Sequence, residues 1–135
     1  MKKKALSLFI LAVIIIAGFI IGKSFGGTKP FRDLSVSEIS SISVKLSPPD
    51  VTFELTDNDI EEVVNILHTI VVYSKDNSYR DYAGQAVVLT ITKTDGTHVT
   101  ATAFNPFFII DGIGYKTKYE PCEKLNSWAN KLRYQ

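Results

Sequence analysis

Two histidines and one cysteine are the residues whose chemistry first suggests a catalytic or metal site. Neither His68 nor His98 is accompanied by a His-Glu-x-x-His motif or by the Cys/His spacing of a zinc site. Cys122 is the only cysteine, so the chain forms no internal disulfide. Its place on a predicted apolar helix stripe favours a small buried hydrophobe over a nucleophile. These residues predict no catalytic centre by themselves.

A run of acidic residues resembles the first half of a calcium-binding loop. Asp57, Asp59 and Glu61 alternate in the way that lets carboxylates converge on a hard cation. The sixth position of such a loop requires glycine and the twelfth a bidentate glutamate, but Glu62 and His68 stand there. Acids at the positive end of a helix explain the run better, and the sequence predicts neither a metal nor a cofactor.

Amphipathic aromatic residues concentrate in two stretches, residues 73–84 and 105–119. Tyr and Arg side chains bury a large area while keeping a polar group, and recognition surfaces are rich in them. The two stretches therefore predict a binding site for a protein, a peptide or a cell-envelope component. The alternative is that the rings close the open end of a small core. The predicted binding residues are Tyr73, Tyr79, Arg80, Tyr82, Phe108, Tyr115, Lys116 and Tyr119.

Strands that form two hairpins are predicted to position these stretches. Apolar and polar residues alternate over residues 41–46 and 51–55, which are separated by Ser-Pro-Pro-Asp. The same alternation runs through residues 85–93 and 98–104. A three-residue loop that ends with Gly96 in the left-handed region keeps the apolar residues of this second hairpin on one face.

Two helices complete the predicted domain. Thr56 and Asp59 have the spacing of a capping box, and an apolar stripe follows them as far as Val71. A last helix opens with Pro121, which is tolerated in a first turn. The predicted fold class is α+β: an N-terminal transmembrane helix, then a small domain with a mainly antiparallel sheet of five to seven strands and two helices on one face.

The N-terminal residues have the pattern of a membrane segment. Residues 5–22 form an uncharged apolar stretch that follows three lysines. As a helix the stretch spans about 27 Å, close to the roughly 30 Å of a bilayer core, and the lysines favour a cytoplasmic N-terminus. We therefore expect a membrane anchor (residues 1–22), a tether (residues 23–30) and an extracytoplasmic domain (residues 31–135).

A cleaved signal peptide followed by secretion is the alternative interpretation of this segment. Its apolar stretch is longer than the roughly 7–15 residues usual for a signal peptide, and no Ala-x-Ala cleavage site follows it. Both features favour retention of the segment as a signal anchor in the cell membrane.

The charge of the domain differs from that of the whole chain. The chain has a formal net charge of +1, but five of its 15 Lys and Arg residues precede residue 31 and all 14 Asp and Glu residues follow it. Residues 31–135 therefore carry a net charge of −4. Nucleic acid requires clustered cations, so it is disfavoured as a partner, as is docking of the domain on anionic lipid.

The order of these features resembles a known group of proteins. The features that carry the resemblance are the Lys-rich start, Phe-Arg-Asp-Leu at residues 31–34, the Pro-Pro turn, the acidic helix, DNSYRDYAGQ, the Asp-Gly hairpin and FNPFFIIDGIGYKTKYEP. Together they resemble an uncharacterised family of small membrane-anchored or exported domains of Gram-positive bacteria. The resemblance implies a place in the cell envelope and assigns no activity and no residue role.

Three functional hypotheses follow from the sequence. The leading one is a noncatalytic extracytoplasmic module that binds or regulates a partner through its tyrosine-rich edge. A small cell-envelope hydrolase that uses His98 or His68 with a nearby acid is the second. The third is a structural envelope component that acts by self-association.

Overall fold

Seven strands form one sheet in the computed structural model, which describes residues 26–134. The strand order is β2-β1-β4-β5-β6-β7-β3, and every neighbouring pair is antiparallel. The strands are β1 (Ile39–Ser47), β2 (Val51–Glu54), β3 (Val72–Lys75), β4 (Ala86–Lys93), β5 (His98–Phe104), β6 (Phe107–Ile110) and β7 (Ile113–Thr117). The domain is therefore α+β, with the mainly antiparallel sheet that the sequence predicts.

The first helix, α1 (Asp57–Leu67), begins at the predicted capping box. Thr56 Oγ1 accepts a hydrogen bond from the Asp59 amide at 3.3 Å, and Asp59 Oδ2 accepts one from the Thr56 amide at 3.4 Å. The prediction that the apolar stripe reaches Val71 within the helix is wrong. The Val71 carbonyl instead accepts a hydrogen bond from the Lys118 amide at 2.9 Å, because the chain has already turned toward β3.

The second helix, α2 (Tyr119–Arg133), begins two residues before Pro121. The proline lies within the first turn, where its missing N–H removes no helical hydrogen bond. Trp128 Nε1 on α2 donates to Glu62 Oε2 on α1 at 2.8 Å. This hydrogen bond joins the two helices directly.

Both helices cover the same face of the sheet, which we call the helix-covered face. Alternation places the apolar residues of β1, β4 and β5 on this face, and one core joins them to the helices. The largest side chains that are fully buried in that core are Phe108, Ile42, Leu46, Leu67, Ile70, Leu89, Ile91, Leu125, Val44, Val63, Val64 and Val87. The other face, which we call the open face, has no α-helix over it among residues 26–134.

Both predicted hairpins are confirmed. Leu46 lies opposite Val51 in the β1–β2 pair. Ile91 lies opposite Val99 in the β4–β5 pair, and Gly96 has a φ of 88°. A positive φ at the last loop position is what the three-residue loop requires, and glycine adopts it without a steric penalty.

The folded part begins before residue 31, the start expected from the sequence. The Thr28 amide donates to the Val72 carbonyl at 2.8 Å, and the Val72 amide donates to the Thr28 carbonyl at 2.9 Å. The predicted membrane segment, residues 5–22, lies outside the described residues. Within residues 26–134, no helix has the length and apolar character needed to cross a membrane.

Candidate functional site

The sheet separates the predicted binding residues, because neighbouring strand residues point to opposite faces. Phe108 is fully buried in the helix-covered core, where its ring contacts Phe31 edge to face at 6.0 Å between centroids. Tyr115 lies opposite Phe108 in the β6–β7 pair and packs, half-buried, against the same core. These two rings therefore support the core and do not form an exposed surface.

Two other predicted tyrosines lie on the open face. The Tyr82 ring is 5.1 Å from the Phe107 ring and the Tyr79 ring is 6.4 Å from it, measured between centroids. Phe107 belongs to a second small apolar cluster, with Phe104 and Ile109. We call Tyr79, Tyr82, Phe104, Phe107 and Ile109 the aromatic patch. Tyr82 has 57% of its surface exposed, so the patch presents an aromatic ring to a partner.

A short polar segment carries these tyrosines across the end of the open face. It contains one turn of 3-10 helix, Ser78–Asp81. Asp76 Oδ1 starts the turn by accepting hydrogen bonds from the Ser78 amide at 2.9 Å and from Ser78 Oγ at 2.6 Å. These hydrogen bonds hold the pKa of Asp76 below its usual value, and the Lys116 ammonium 4.0 Å away lowers the pKa further. The segment thus has a defined local structure.

Close backbone contacts fix the same segment to β7. Gly114 is buried and has no room for a Cβ atom, because the Asp76 carbonyl and the Tyr79 ring lie directly against it. Its amide donates to Asn77 Oδ1 at 2.9 Å. Tyr79 Oη donates to the Gly112 carbonyl at 3.1 Å. The aromatic patch is therefore formed before any partner arrives.

An open apolar hollow of about 270 Å³ lies beside Tyr82. Its other walls include Ala86, Thr102 and Ile109. Arg80 stands at the rim, with its guanidinium carbon 5.7 Å from the centroid of the Tyr79 ring. Arg80 Nε donates a hydrogen bond to Tyr79 Oη, which raises the pKa of Arg80. Since a guanidinium stays protonated in proteins, the rim carries a positive charge.

The remaining predicted residues lie outside the aromatic patch. Lys116 is exposed on β7 and lies opposite Phe107, so it shares the open face and its ammonium contacts Asp76. Tyr73 is on β3 at an edge of the sheet. Tyr119 is 61% exposed and begins α2. The structure thus brings together Tyr79, Arg80 and Tyr82 from the predicted set.

Three residues of the patch were missed in the predicted set: Phe104, Phe107 and Ile109. The apolar sequence Phe-Phe-Ile-Ile at residues 107–110 is a signal that indicates Phe107 and Ile109. A strand with apolar residues at consecutive positions needs cover on both of its faces, whereas an alternating strand needs cover on one. The segment with Tyr79 and Tyr82 supplies the second cover for β6.

The residues with catalytic chemistry are not assembled into one site. His68 Nε2 donates to the Leu34 carbonyl at 2.6 Å, and the exposed His98 bonds through Nδ1 to Thr92 Oγ1 at 3.1 Å. Within residues 26–134, no hydrogen bond or ion pair joins either histidine to a carboxylate. Burial raises the pKa of the Cys122 thiol to about 12, which keeps it protonated and weakly nucleophilic.

Neither a metal site within residues 26–134 nor a similarity to a known protein assigns a function to this chain. Among residues 26–134, no group of three or more His, Cys, Asp or Glu side chains is placed to hold a metal ion. Comparison with protein-family models, with curated proteins and with solved structures finds no match to this chain. The family resemblance drawn from the sequence stays a prediction.

Proposed function

We propose that this chain is a noncatalytic binding module that acts on the outer side of the cell membrane. Its contact surface is the aromatic patch, and its partner is a protein or peptide segment that places an apolar side chain in the hollow beside Tyr82. The observation that carries the proposal is an exposed tyrosine ring, 57% accessible, packed 5.1 Å from Phe107 at the mouth of an apolar hollow.

The composition of the patch supports recognition of a protein or peptide. Tyrosine and arginine contribute a large share of the binding energy at many interfaces, because they bury apolar area and keep polar groups for orientation. Tyr82 and Arg80 are both exposed beside the hollow. Since Tyr79 and the backbone of Gly114 already hold the segment in place, little conformational entropy is lost when a partner binds.

The proposed location rests on the predicted anchor and on the residue at which the folded domain begins. Residues 5–22 have the length and apolar character of a membrane helix, with lysines on the side expected to face the cytoplasm. Thr28 is already paired with Val72, so only a few residues separate the predicted anchor from the folded domain. In this arrangement the domain works close to the membrane surface.

Photo-crosslinking tests the proposed surface in the full-length chain. A benzophenone amino acid replaces Tyr82 in one version and Tyr134 in the matched control, since Tyr134 is exposed at the far end of α2. In intact membranes we expect one protein adduct that depends on the position 82 probe. Equal adducts from both positions, or an adduct with a second copy of the chain, would contradict the proposal, and the latter would favour self-association.

A binding measurement with the captured partner completes this test. The variant Tyr82→Ala should weaken the affinity by about tenfold or more, as expected for a central aromatic contact. Tyr134→Ala should leave the affinity unchanged. Tyr115→Ala is unsuitable, because its ring packs on the core and its loss destabilises the fold. If Tyr82→Ala leaves the affinity unchanged, the aromatic patch is not the interface.

A further inference from the structure

A second cleft lies on the helix-covered face, away from the aromatic patch. It has a volume of about 480 Å³ and lies near the end of the β4–β5 hairpin. Its floor is apolar and comes from two neighbouring strands, through the half-buried Val99 and Ile110, while the fully buried Ile91 lies next to Val99. A cleft of this volume is within the range of small-molecule sites, which is roughly 300–1,000 Å³. We call it the hairpin-end cleft.

The N-terminal segment of the domain forms one wall of this cleft. Residues 29–34 line it, and several contacts hold them in place. The Phe31 ring packs on Phe108, and the Leu34 carbonyl accepts the hydrogen bond from His68 Nε2. Since Phe31 and Leu34 are both fixed to the core, the wall is preformed.

The charged groups that line the cleft differ in whether they form hydrogen bonds or ion pairs within the domain. Two of its carboxylates bond to backbone amides: Glu38 Oε1 accepts from Ser35 at 2.9 Å, and Asp111 Oδ1 accepts from Thr100 at 2.9 Å. The cleft also has three cations, none of which forms an ion pair within residues 26–134. These cations are Lys29, Arg32 and Lys93.

Strand alternation directs one of these cations toward the apolar floor. Lys93 follows Leu89 and Ile91 at two-residue spacing on β4, so it lies on the helix-covered face. It is half-buried, whereas Arg32 and Lys29 are exposed. The cleft therefore combines an apolar floor with three cations and three carboxylates, of which Asp33 is the one carboxylate with no hydrogen bond among the described residues.

We propose that the hairpin-end cleft binds a small organic anion with an apolar body and a carboxylate or phosphate group. The apolar body lies on Val99 and Ile110. The anionic group is held by Lys93 and Arg32, which satisfy it through charge-assisted hydrogen bonds. This site is separate from the aromatic patch and does not depend on the function proposed for that patch.

A series of soluble probes of similar size tests the proposal. Phenylacetate and phenyl phosphate are anions, benzyl alcohol is neutral and benzylammonium is a cation. With the full-length chain labelled at isoleucine and valine methyl groups, both anions should shift the NMR signals of Ile91, Val99 and Ile110 in a saturable manner. Benzylammonium should bind at least about tenfold more weakly, and added salt should reduce the affinity for the anions.

Substitutions on the rim separate charge recognition from simple filling of an apolar cleft. Lys93→Gln and Arg32→Gln should each weaken anion binding by about two- to fivefold, and Asp33→Asn should strengthen it. Lys116→Gln is the matched control, because Lys116 lies on the open face. Equal shifts with all four probes, or anion affinities unchanged by Lys93→Gln and Arg32→Gln, would overturn the proposal.

Discussion

The two faces of the sheet are built from the same strands but have different roles. On β4, Val87, Leu89 and Ile91 are fully buried beneath the helices, whereas Val88 and Thr90, which alternate with them, are only half-buried on the open face. The helix-covered face therefore supplies most of the burial that stabilises the domain. The open face contributes less to the core, and its side chains are accessible for contact with other molecules.

The open face is not uniform along its length. Near its centre Thr90 lies opposite Thr100, and their hydroxyl groups can remain in contact with water. At the β6 end, Phe104 and Ile109 are buried because the segment that carries Tyr79 and Tyr82 lies over them. This face is therefore covered only where apolar residues occur, and the segment that covers them forms the candidate binding site.

The largest expected effect comes from truncating neighbouring residues that point to opposite faces. Leu89→Ala should lower the free energy of unfolding by about 2–5 kcal/mol, because it leaves a cavity in the core. Val88→Ala should cost less than about 1 kcal/mol, since that side chain is only half-buried. Urea denaturation of both variants measures the difference. Equal costs would contradict the assignment of the two faces.

An intermediate effect is expected where the segment that carries Tyr79 and Tyr82 meets β7. Gly114→Ala should cost about 1–3 kcal/mol, because the added methyl group meets the Asp76 carbonyl and the Tyr79 ring. Amide hydrogen exchange should accelerate first within Ser78–Asp81, while the amides of β4 stay protected. Gly26→Ala is the control, since nothing lies near its added methyl group. Unchanged exchange over Ser78–Asp81 would show that the contact does not hold the segment.

The smallest effect concerns the acid that starts the turn in this segment. The pKa of Asp76 is lowered from 3.8 by its hydrogen bonds with Ser78, so the ionised form is favoured in the folded state. Its contribution to stability is present above the unfolded pKa and is lost as the pH falls through the lower, folded pKa. The segment should therefore be insensitive to pH near neutrality and loosen only in strong acid.

An NMR titration of the Ser78 amide signal checks this pH dependence. The amide should report a pKa below 3.8, and Asp76→Asn should abolish that titration. Asp95 provides an internal comparison, because its carboxylate bonds to Thr97 in the same way and its pKa is also lowered. The Thr97 titration should persist in the variant. A Ser78 signal that titrates at or above 3.8 would contradict the role given to Asp76.

Local patterns predicted much of the fold but only part of the candidate site. The capping box at Thr56 and the left-handed Gly96 depend on neighbouring residues alone, and both are confirmed. Strand β3 was not predicted, because its four residues include exposed Tyr73 and Lys75 and lack an apolar alternation. Its strand conformation depends on pairing with β7, which is distant in sequence.

The division of the aromatic residues also depends on distant pairing. The sequence does not show on which face of the sheet each ring lies. The two stretches that contain Tyr79, Tyr82, Phe108 and Tyr115 are similarly rich in aromatic residues. The register of β6 against β5 places Phe108 opposite Ala103, and so under the helices. The same register turns Phe107 to the open face, beneath Tyr82.

The sequence by itself determined the alternation of each hairpin, the capped start of α1, the α+β class and the excess of acidic charge in the domain, because these follow from residue type and short spacing. The tertiary structure decided which rings are buried, where Tyr79 and Tyr82 lie, and that residues 29–34 wall a cleft over β4, β5 and β6. The physical reason is that these features join residues far apart in the chain, whose contacts are set by strand register and by the packing of the helices.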